Sequence, residues 1–222
     1  MRKLNNLLKK LSILLMPQRC PFCYRIIEQD QTTCKRCEKD IPVHAVFQGV
    51  KGSYKCSSAF LYSGKFKRAV INFKFNHKQQ YSPQLAFFLS ECIKQNYPDM
   101  VFDCITYVPM HDKAEKKRGY NQCELLAKDL SKLMNLPCHQ MLIKTKATKP
   151  QHSLNAKLRS TNLNGAFKVS DKKLVKGKSI LLIDDIVTTG STLGECAKTL
   201  QKANPSQICC ATVLASANLY LP

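Results

Sequence analysis

Two groupings of residues in this chain have types and spacings that can do chemistry. The first is the run Ile180-Leu181-Leu182-Ile183-Asp184-Asp185-Ile186-Val187-Thr188-Thr189-Gly190-Ser191-Thr192. An apolar stretch leads into two adjacent carboxylates, and hydroxyl residues then surround one glycine. A buried strand, a short loop and a helix would produce this order. Backbone N–H groups at a helix N-terminus favour a phosphate, and Thr188, Thr189, Ser191 and Thr192 add hydroxyl donors. Gly190 lets the backbone come close to a ligand or take a positive φ. Asp184 and Asp185 lie just upstream, where they can accept from sugar hydroxyls or hold Mg²⁺. A sugar 5-phosphate is long enough to touch both parts. An ordinary helix start, with the two carboxylates as cap and turn, uses the same residues.

The second grouping is Cys20-x2-Cys23-x10-Cys34-x2-Cys37. Each C-x-x-C turns the chain so that both sulfurs face one point, and a ten-residue loop brings the second pair round. Four thiolates in this spacing suit structural Zn²⁺ and leave no open coordination position. A redox dithiol, two disulfides and an iron–sulfur cluster are the competing uses of the same cysteines. The other eight cysteines are scattered, many in apolar runs, and read as small buried hydrophobes.

The elements that position these groups follow from hydrophobic pattern. Strands are expected at Ser57–Tyr62, Cys104–Val108, Cys138–Ile143, Ala166–Val169, Ser179–Ile183 and Ile208–Ala215. Helices are expected at Lys65–Asn76, Ser82–Asn96, Asn121–Leu133 and Leu193–Lys202. Several strands lack polar alternation, and strands alternate with helices. That pattern predicts an α/β domain whose parallel sheet is covered on both faces. Ligands of such sheets bind at the carboxyl ends of the strands. The polar stretch Lys144–Asn164 has no period and is long for a connector.

At 222 residues the chain has room for one sizeable core and a small appendage. No apolar run reaches the length of a membrane span. The first eighteen residues read as an amphipathic helical segment with a basic face, formed by Arg2, Lys3, Lys9 and Lys10, that packs on the body, on a partner or against a membrane surface. They lack the long apolar core of a secretory signal, so a cytoplasmic location is expected. The formal charge is +20, and residues 1–77 alone carry 15 basic against 4 acidic groups. Such a field favours polyanionic partners, nucleic acid above all, although a Lys-rich surface also serves solubility alone.

The acidic–hydroxyl segment resembles the phosphoribosyl-pyrophosphate (PRPP) motif of the type I phosphoribosyltransferases. The wider chain resembles the ComF (ComFC) family of competence-associated proteins, which join a four-cysteine zinc finger to a phosphoribosyltransferase domain. The likeness runs from Cys20 to about Leu214. It takes in Phe73-Lys74-Phe75, Val108-Pro109, Arg118-Gly119-Tyr120-Asn121-Gln122, Thr148-Lys149-Pro150-Gln151 with Arg159 and Asn162, and Gly165-Ala166-Phe167. It implies a type I phosphoribosyltransferase-like parallel sheet over residues 51–222, preceded by a zinc-finger module over 19–50.

The resemblance also implies roles. PRPP would lie with its 5′-phosphate on Thr188–Thr192 and its ribose at Asp184 and Asp185, the catalytic pair if the domain turns over. The loop Pro109–Gly119, with Lys113, Lys116, Lys117 and Arg118, would take the pyrophosphate with Mg²⁺. Lys144–Asn164 would be the mobile loop that closes over the substrate, with Lys144, Lys146, Lys149 and Arg159 as candidate phosphate contacts. Purine-salvage relatives commonly carry an Asp where Thr188 stands, so hypoxanthine or guanine transfer is not expected. Two functions follow. One is a DNA-uptake factor in natural transformation that binds a phosphoribosyl ligand, with single-stranded DNA and uptake-machinery proteins as partners. The other is an active phosphoribosyltransferase with an unidentified acceptor.

Overall fold

The computed structural model describes residues 17–42, 46–50, 54–146 and 163–216. The helical segment expected over the first eighteen residues lies almost wholly outside them. The chain divides into two compact units, Met1–Pro42 and Val43–Pro222.

In the first unit the backbone folds tightly round the cysteines. Arg19 bridges Ile26 in antiparallel fashion, and the Cys20 amide donates to the Arg25 carbonyl at 2.8 Å. Tyr24 takes a left-handed conformation (φ 66°) to make that turn. A single helical turn, α1 (Lys35–Glu38), follows Cys34. So small a unit has little apolar material of its own. Cys20, Phe22, Ile27 and Cys37 are its buried apolar residues among those described.

The second unit is built on a five-stranded sheet. Its strands are β1 (Val46–Val50), β2 (Tyr54–Leu61), β3 (Cys104–Tyr107), β6 (Ser179–Val187) and β7 (Gln207–Ala215), in the order β1-β2-β7-β6-β3. The pairs β2–β7, β7–β6 and β6–β3 are parallel, and only β1 runs antiparallel to its neighbour. A separate antiparallel pair joins β4 (Leu142–Lys144) to β5 (Phe167–Val169). The helices are α2 (Gly64–Phe75), α3 (Ser82–Asn96), α4 (Asp112–Arg118), α5 (Gln122–Met134) and α6 (Ser191–Gln201). Ile180, Leu181, Leu182 and Ile183 of β6 are fully buried, as expected for a central strand covered on both faces.

Connectivity fixes where a ligand can sit. From β3 the chain passes through α5 to Cys138, which bridges Ile105 on the outer side of β3. From β6 it passes through α6 to β7, on the other side. Right-handed crossovers in opposite directions put α5 and α6 on opposite faces. The carboxyl ends of β3 and β6 are therefore the switch point of the sheet, where a crevice opens.

The sheet and all four long helices follow the sequence pattern to within a few residues, and four local features differ. Residues 46–50, assigned from sequence to the cysteine module, form the edge strand β1. The strand expected over Ser179–Ile183 continues to Val187, because β7 keeps pairing with it through Val187↔Ala215 after β3 has ended at Tyr107. The loop expected over Pro109–Gly119 is mostly helix α4. The His111 imidazole accepts from the Lys113 amide at its start, and Gly119 (φ 86°) closes it. The strand expected from Cys138 becomes regular only at Leu142, where β5 pairs with it.

Candidate functional site

Asp184 and Asp185 lie where β6 outruns β3. The Val108 amide donates to the Ile183 carbonyl at 2.9 Å, and beyond that point the β3 side of β6 has no ladder partner in the sheet. Both carboxylates are nevertheless buried, 7% and 2% exposed. A buried carboxylate needs partners, and each has its own. Asp184 Oδ1 accepts from the Cys123 thiol at 3.2 Å and from the Asp185 amide at 2.9 Å. Asp185 Oδ2 meets the Lys74 ammonium at 2.7 Å.

These partners separate the two acids. Burial first, then the Asp185 charge, push Asp184 up to about 7. Burial opposes the charge on Asp185 as well, but the Lys74 ammonium outweighs it and holds that carboxyl below its ordinary value, with Arg118 acting in the same direction. The consequence for stability has a sign. Between the ordinary carboxylate value and about 7, folded Asp184 keeps a proton that the unfolded chain has released, so its contribution falls as pH rises through that window. Asp185 contributes stability above the ordinary value, and that contribution is lost as pH falls through its lowered one. Asp184→Asn is uncharged at every pH. It is expected to raise Tm relative to wild type more at pH 8 than at pH 5, by several degrees; in a chain of this size about 2–4 °C corresponds to 1 kcal/mol. Calorimetry at the two pH values checks this, and an equal change at both would refute it.

After Val187 the chain makes the loop in which the sequence places a phosphate. Thr188 and Thr189 lead to Gly190, whose φ of 69° and ψ of 2° make it the N-cap of α6. The Thr189 and Ser191 hydroxyls lie 2.9 Å apart, and the Ser191 amide donates to Thr189 Oγ1 at 3.4 Å. Asp184 and all residues from Ile186 to Leu193 line a pocket enclosing about 210 Å³, solvent included. Carboxylate, hydroxyls and a helix N-terminus thus share one concavity. Its floor is set from behind by β1. A Cβ on Gly190 would stand 2.8 Å from the Val50 Cβ.

The other sequence candidates fall into four groups. Arg118, at the C-terminus of α4, lies close enough for its charge to help hold the Asp185 carboxyl down. Its guanidinium lies 5.0 Å from the Phe75 ring centroid and donates to the side-chain oxygen of Gln122. Lys117 is exposed on α4. Lys146 is exposed beyond β4, with its ammonium 3.4 Å from the Asn164 carbonyl. Arg159, Lys149 and the segment Thr148–Gln151 lie outside the described residues. Lys144 is half-buried on β4 with its ammonium over the Phe167 ring, and burial lowers its pKa against the pull of Cys196 and Asp184.

Three site residues were not singled out by role in the sequence. Lys74 reads there only as part of a basic helix, yet it follows Val70 by four residues on the buried side of α2, where Ala69, Val70 and Phe73 also lie. A lysine that continues an apolar stripe is the signal. Cys123 sits in the first turn of α5, behind the Asn121 cap that also donates to the Val108 carbonyl. Val50 had no readable signal, because its role is purely spatial.

The four cysteines of the first unit converge. Their sulfurs lie within 4.8 Å of one another, with Cys23 and Cys34 at 3.5 Å. All are free thiols, which excludes disulfides in this structure. Burial raises the Cys20 thiol, but the Thr33 hydroxyl and backbone groups of Cys34, Phe22 and Cys23 outweigh it and bring it down to about 6. Four converging soft donors, one already favoured as thiolate, fit a tetrahedral metal. Cys123, Asp184 and Asp185 also bring ligand atoms within 4.8 Å of one another, but this second set is already engaged within the protein. Asp185 Oδ2 lies 2.7 Å from the Lys74 ammonium, and Asp184 Oδ1 accepts two hydrogen bonds.

The parallel sheet, the switch-point crevice and the loop at the head of α6 together define a phosphoribosyltransferase-type domain, and residues 121–222 match the family model of the phosphoribosyl transferase domain. Over 190 residues the chain is 28% identical to the DNA utilization protein YhgH of Escherichia coli (strain K12), covering 82% of this chain and 83% of that one. It is 37% identical over 108 residues to Competence protein F of Haemophilus influenzae, covering 48% and 47%. Against Competence protein ComFC of Bacillus subtilis (strain 168) it is 28% identical over 166 residues, covering 72% and 63%. The chain is thus similar over most of its length to YhgH and ComFC, and over about half of it to Competence protein F.

Proposed function

We propose that this is a ComF-type protein that binds PRPP or a related phosphoribosyl ligand at the switch point and acts in the handling of incoming DNA on the cytoplasmic side of the membrane. The carrying observation is the shared concavity of Asp184 with the loop 186–193. A 5′-phosphate on the amides and hydroxyls of Thr188–Thr192 leaves the ribose hydroxyls within reach of the carboxylates one strand-end away. In this reading the Arg118 guanidinium, whose charge is felt at Asp185, meets the pyrophosphate. In this reading Lys146 and Arg159 approach the ligand from the segment between β4 and β5. The four cysteines hold Zn²⁺, which shapes the first unit and supplies no open coordination position.

Single-stranded DNA is the proposed macromolecular ligand. Besides the +20 charge, α2 and the residues just before it place cations beside rings. Lys67 lies 5.0 Å from the Tyr62 centroid, and Phe75 is 47% exposed beneath Arg118. Rings that stack bases beside cations that meet phosphates are what a sequence-tolerant single-strand site needs. Among the described residues no helix is long and apolar enough to cross a membrane.

Calorimetry with PRPP and fluorescence anisotropy with an oligothymidine test the two halves separately. PRPP is expected to bind wild type. The oligonucleotide is expected to bind with log K falling against log salt by about 0.7 per phosphate neutralised. Failure of either ligand to bind at low salt would remove that half. Pyrophosphate release from PRPP would add turnover to binding.

A further inference from the structure

The Lys74–Asp185 contact differs from the other ion pairs of the described residues. Those are local helical pairs, three or four residues apart, between largely exposed lysines and their neighbours. Lys74 instead reaches from α2 to the end of β6, and the side chains are only 16% and 3% exposed. Taking two charges out of water is costly, and removing one partner leaves the other uncompensated. The site was therefore built around this cation.

We infer that Lys74 is the resident cation of the acidic pair: it occupies on Asp185 the place a divalent ion would take, and it offers its donors to an anionic oxygen of the phosphoribosyl ligand. The second half of this inference rests on the function proposed above; the first does not. An ammonium has three donors, and Asp185 Oδ2 stands 2.7 Å from it as an ion pair without an aligned hydrogen bond. Oxygen-ligated divalent cations need several unoccupied oxygens. Cys123, Asp184 and Asp185 do bring ligand atoms within 4.8 Å of one another, but two of the four carboxylate oxygens are engaged, one against Lys74 and one accepting from a thiol and an amide. Two carboxylates with one ammonium also present less negative charge than two carboxylates alone. Any metal that accompanies the ligand then rides on the ligand's own phosphate oxygens. Lys74 is a binding residue, and Asp185 is a hydroxyl acceptor held in its ionised form.

The experiment has a metal arm and a ligand arm. Mn²⁺ alone is titrated by electron paramagnetic resonance into wild type, Lys74→Gln, Lys74→Arg and the double variant Lys74→Gln/Asp185→Asn. Wild type and Lys74→Arg are expected to show no site on the acidic pair. Lys74→Gln is expected to gain one that is at least about tenfold tighter, because the freed carboxylate is a hard oxygen donor, and the double variant should lose it. PRPP is then titrated calorimetrically in EDTA and in Mg²⁺. Wild type is expected to bind in EDTA within about threefold of its affinity in Mg²⁺. Lys74→Gln should bind about tenfold or more weakly in EDTA, having lost a charge-assisted donor, and should recover part of this in Mg²⁺. A Mn²⁺ site on wild type that a parallel titration of Asp185→Asn shows to be abolished, or EDTA binding by Lys74→Gln equal to wild type, would overturn the inference. If no protein binds PRPP in either buffer, the phosphoribosyl reading falls and the Mn²⁺ arm alone decides the resident cation. Should Lys74→Gln fail to fold, wild type's own response to Mn²⁺ and EDTA still decides it.

Discussion

Gly190→Val is expected to lower PRPP affinity by roughly a hundredfold or more, equivalent to about 2.8 kcal/mol or above, and to reduce thermal stability as well. Two independent costs meet at this residue. Its φ of 69° lies in the left-handed region, where a residue with a Cβ pays about 1–2 kcal/mol and a β-branched one more. The added Cβ would also stand 2.8 Å from the Val50 Cβ and 3.1 Å from its Cα. That neighbour is a strand, and its backbone cannot move aside as the end of a flexible side chain can. Relief has to come from the loop, which carries the amides meant for the phosphate. Gly190→Ala should show the same direction with a smaller effect. Calorimetry with PRPP beside a melting curve separates the two costs. Wild-type affinity in Gly190→Val would remove the loop from the binding site.

The second large effect is expected at the cysteines. Purified protein should carry close to one zinc per chain, as a closed four-thiolate site holds. Cys34→Ser and the double change Cys34→Ser/Cys37→Ser should release it. Structural zinc contributes about 10–16 kcal/mol of apparent binding free energy in small zinc modules, far more than the few buried apolar residues of the first unit can replace. Loss of metal should therefore unfold residues 17–42 as a unit. Because Met1–Pro42 and Val43–Pro222 are separate compact units, the main thermal transition and PRPP binding should change little. Elemental analysis with hydrogen exchange checks this. Full zinc retention by the double variant would refute it.

Much of this architecture can be read from the chain, for identifiable reasons. The run Ile180–Ile183 is apolar without alternation, and only a strand buried on both faces needs that. Leu126 and Leu130 mark the buried side of α5 by their spacing, and both are fully buried. The convergence of Cys20, Cys23, Cys34 and Cys37 follows from two tight turns and one loop. What escapes the sequence is decided across long separations. Strand β6 passes through its acidic pair because β7 continues beside it, a fact of register absent from residues 179–187 themselves. Helix α4 forms in a segment with no apolar stripe, carried by local capping at His111 and Gly119. Lys74 belongs to the acidic pair only because α2 lies against the end of β6, and helix propensity cannot tell that lysine from Lys65 or Lys67.

The pairing of β2 with β7 bears on how the chain acquires its shape. The Ser58 and Thr212 hydroxyls meet at 2.7 Å across 154 residues of sequence. Every rung of that ladder closes a loop of similar length, and loops of this kind slow folding because their entropy is lost before the contact forms. On a ribosome, the hairpin of β1 and β2 emerges early and waits for the strand it will join. Val50 cannot seat Gly190 until residues 207–215 have been made. The loop at the head of α6 therefore takes its final shape late in synthesis, and a chain released too early carries the motif without the pocket.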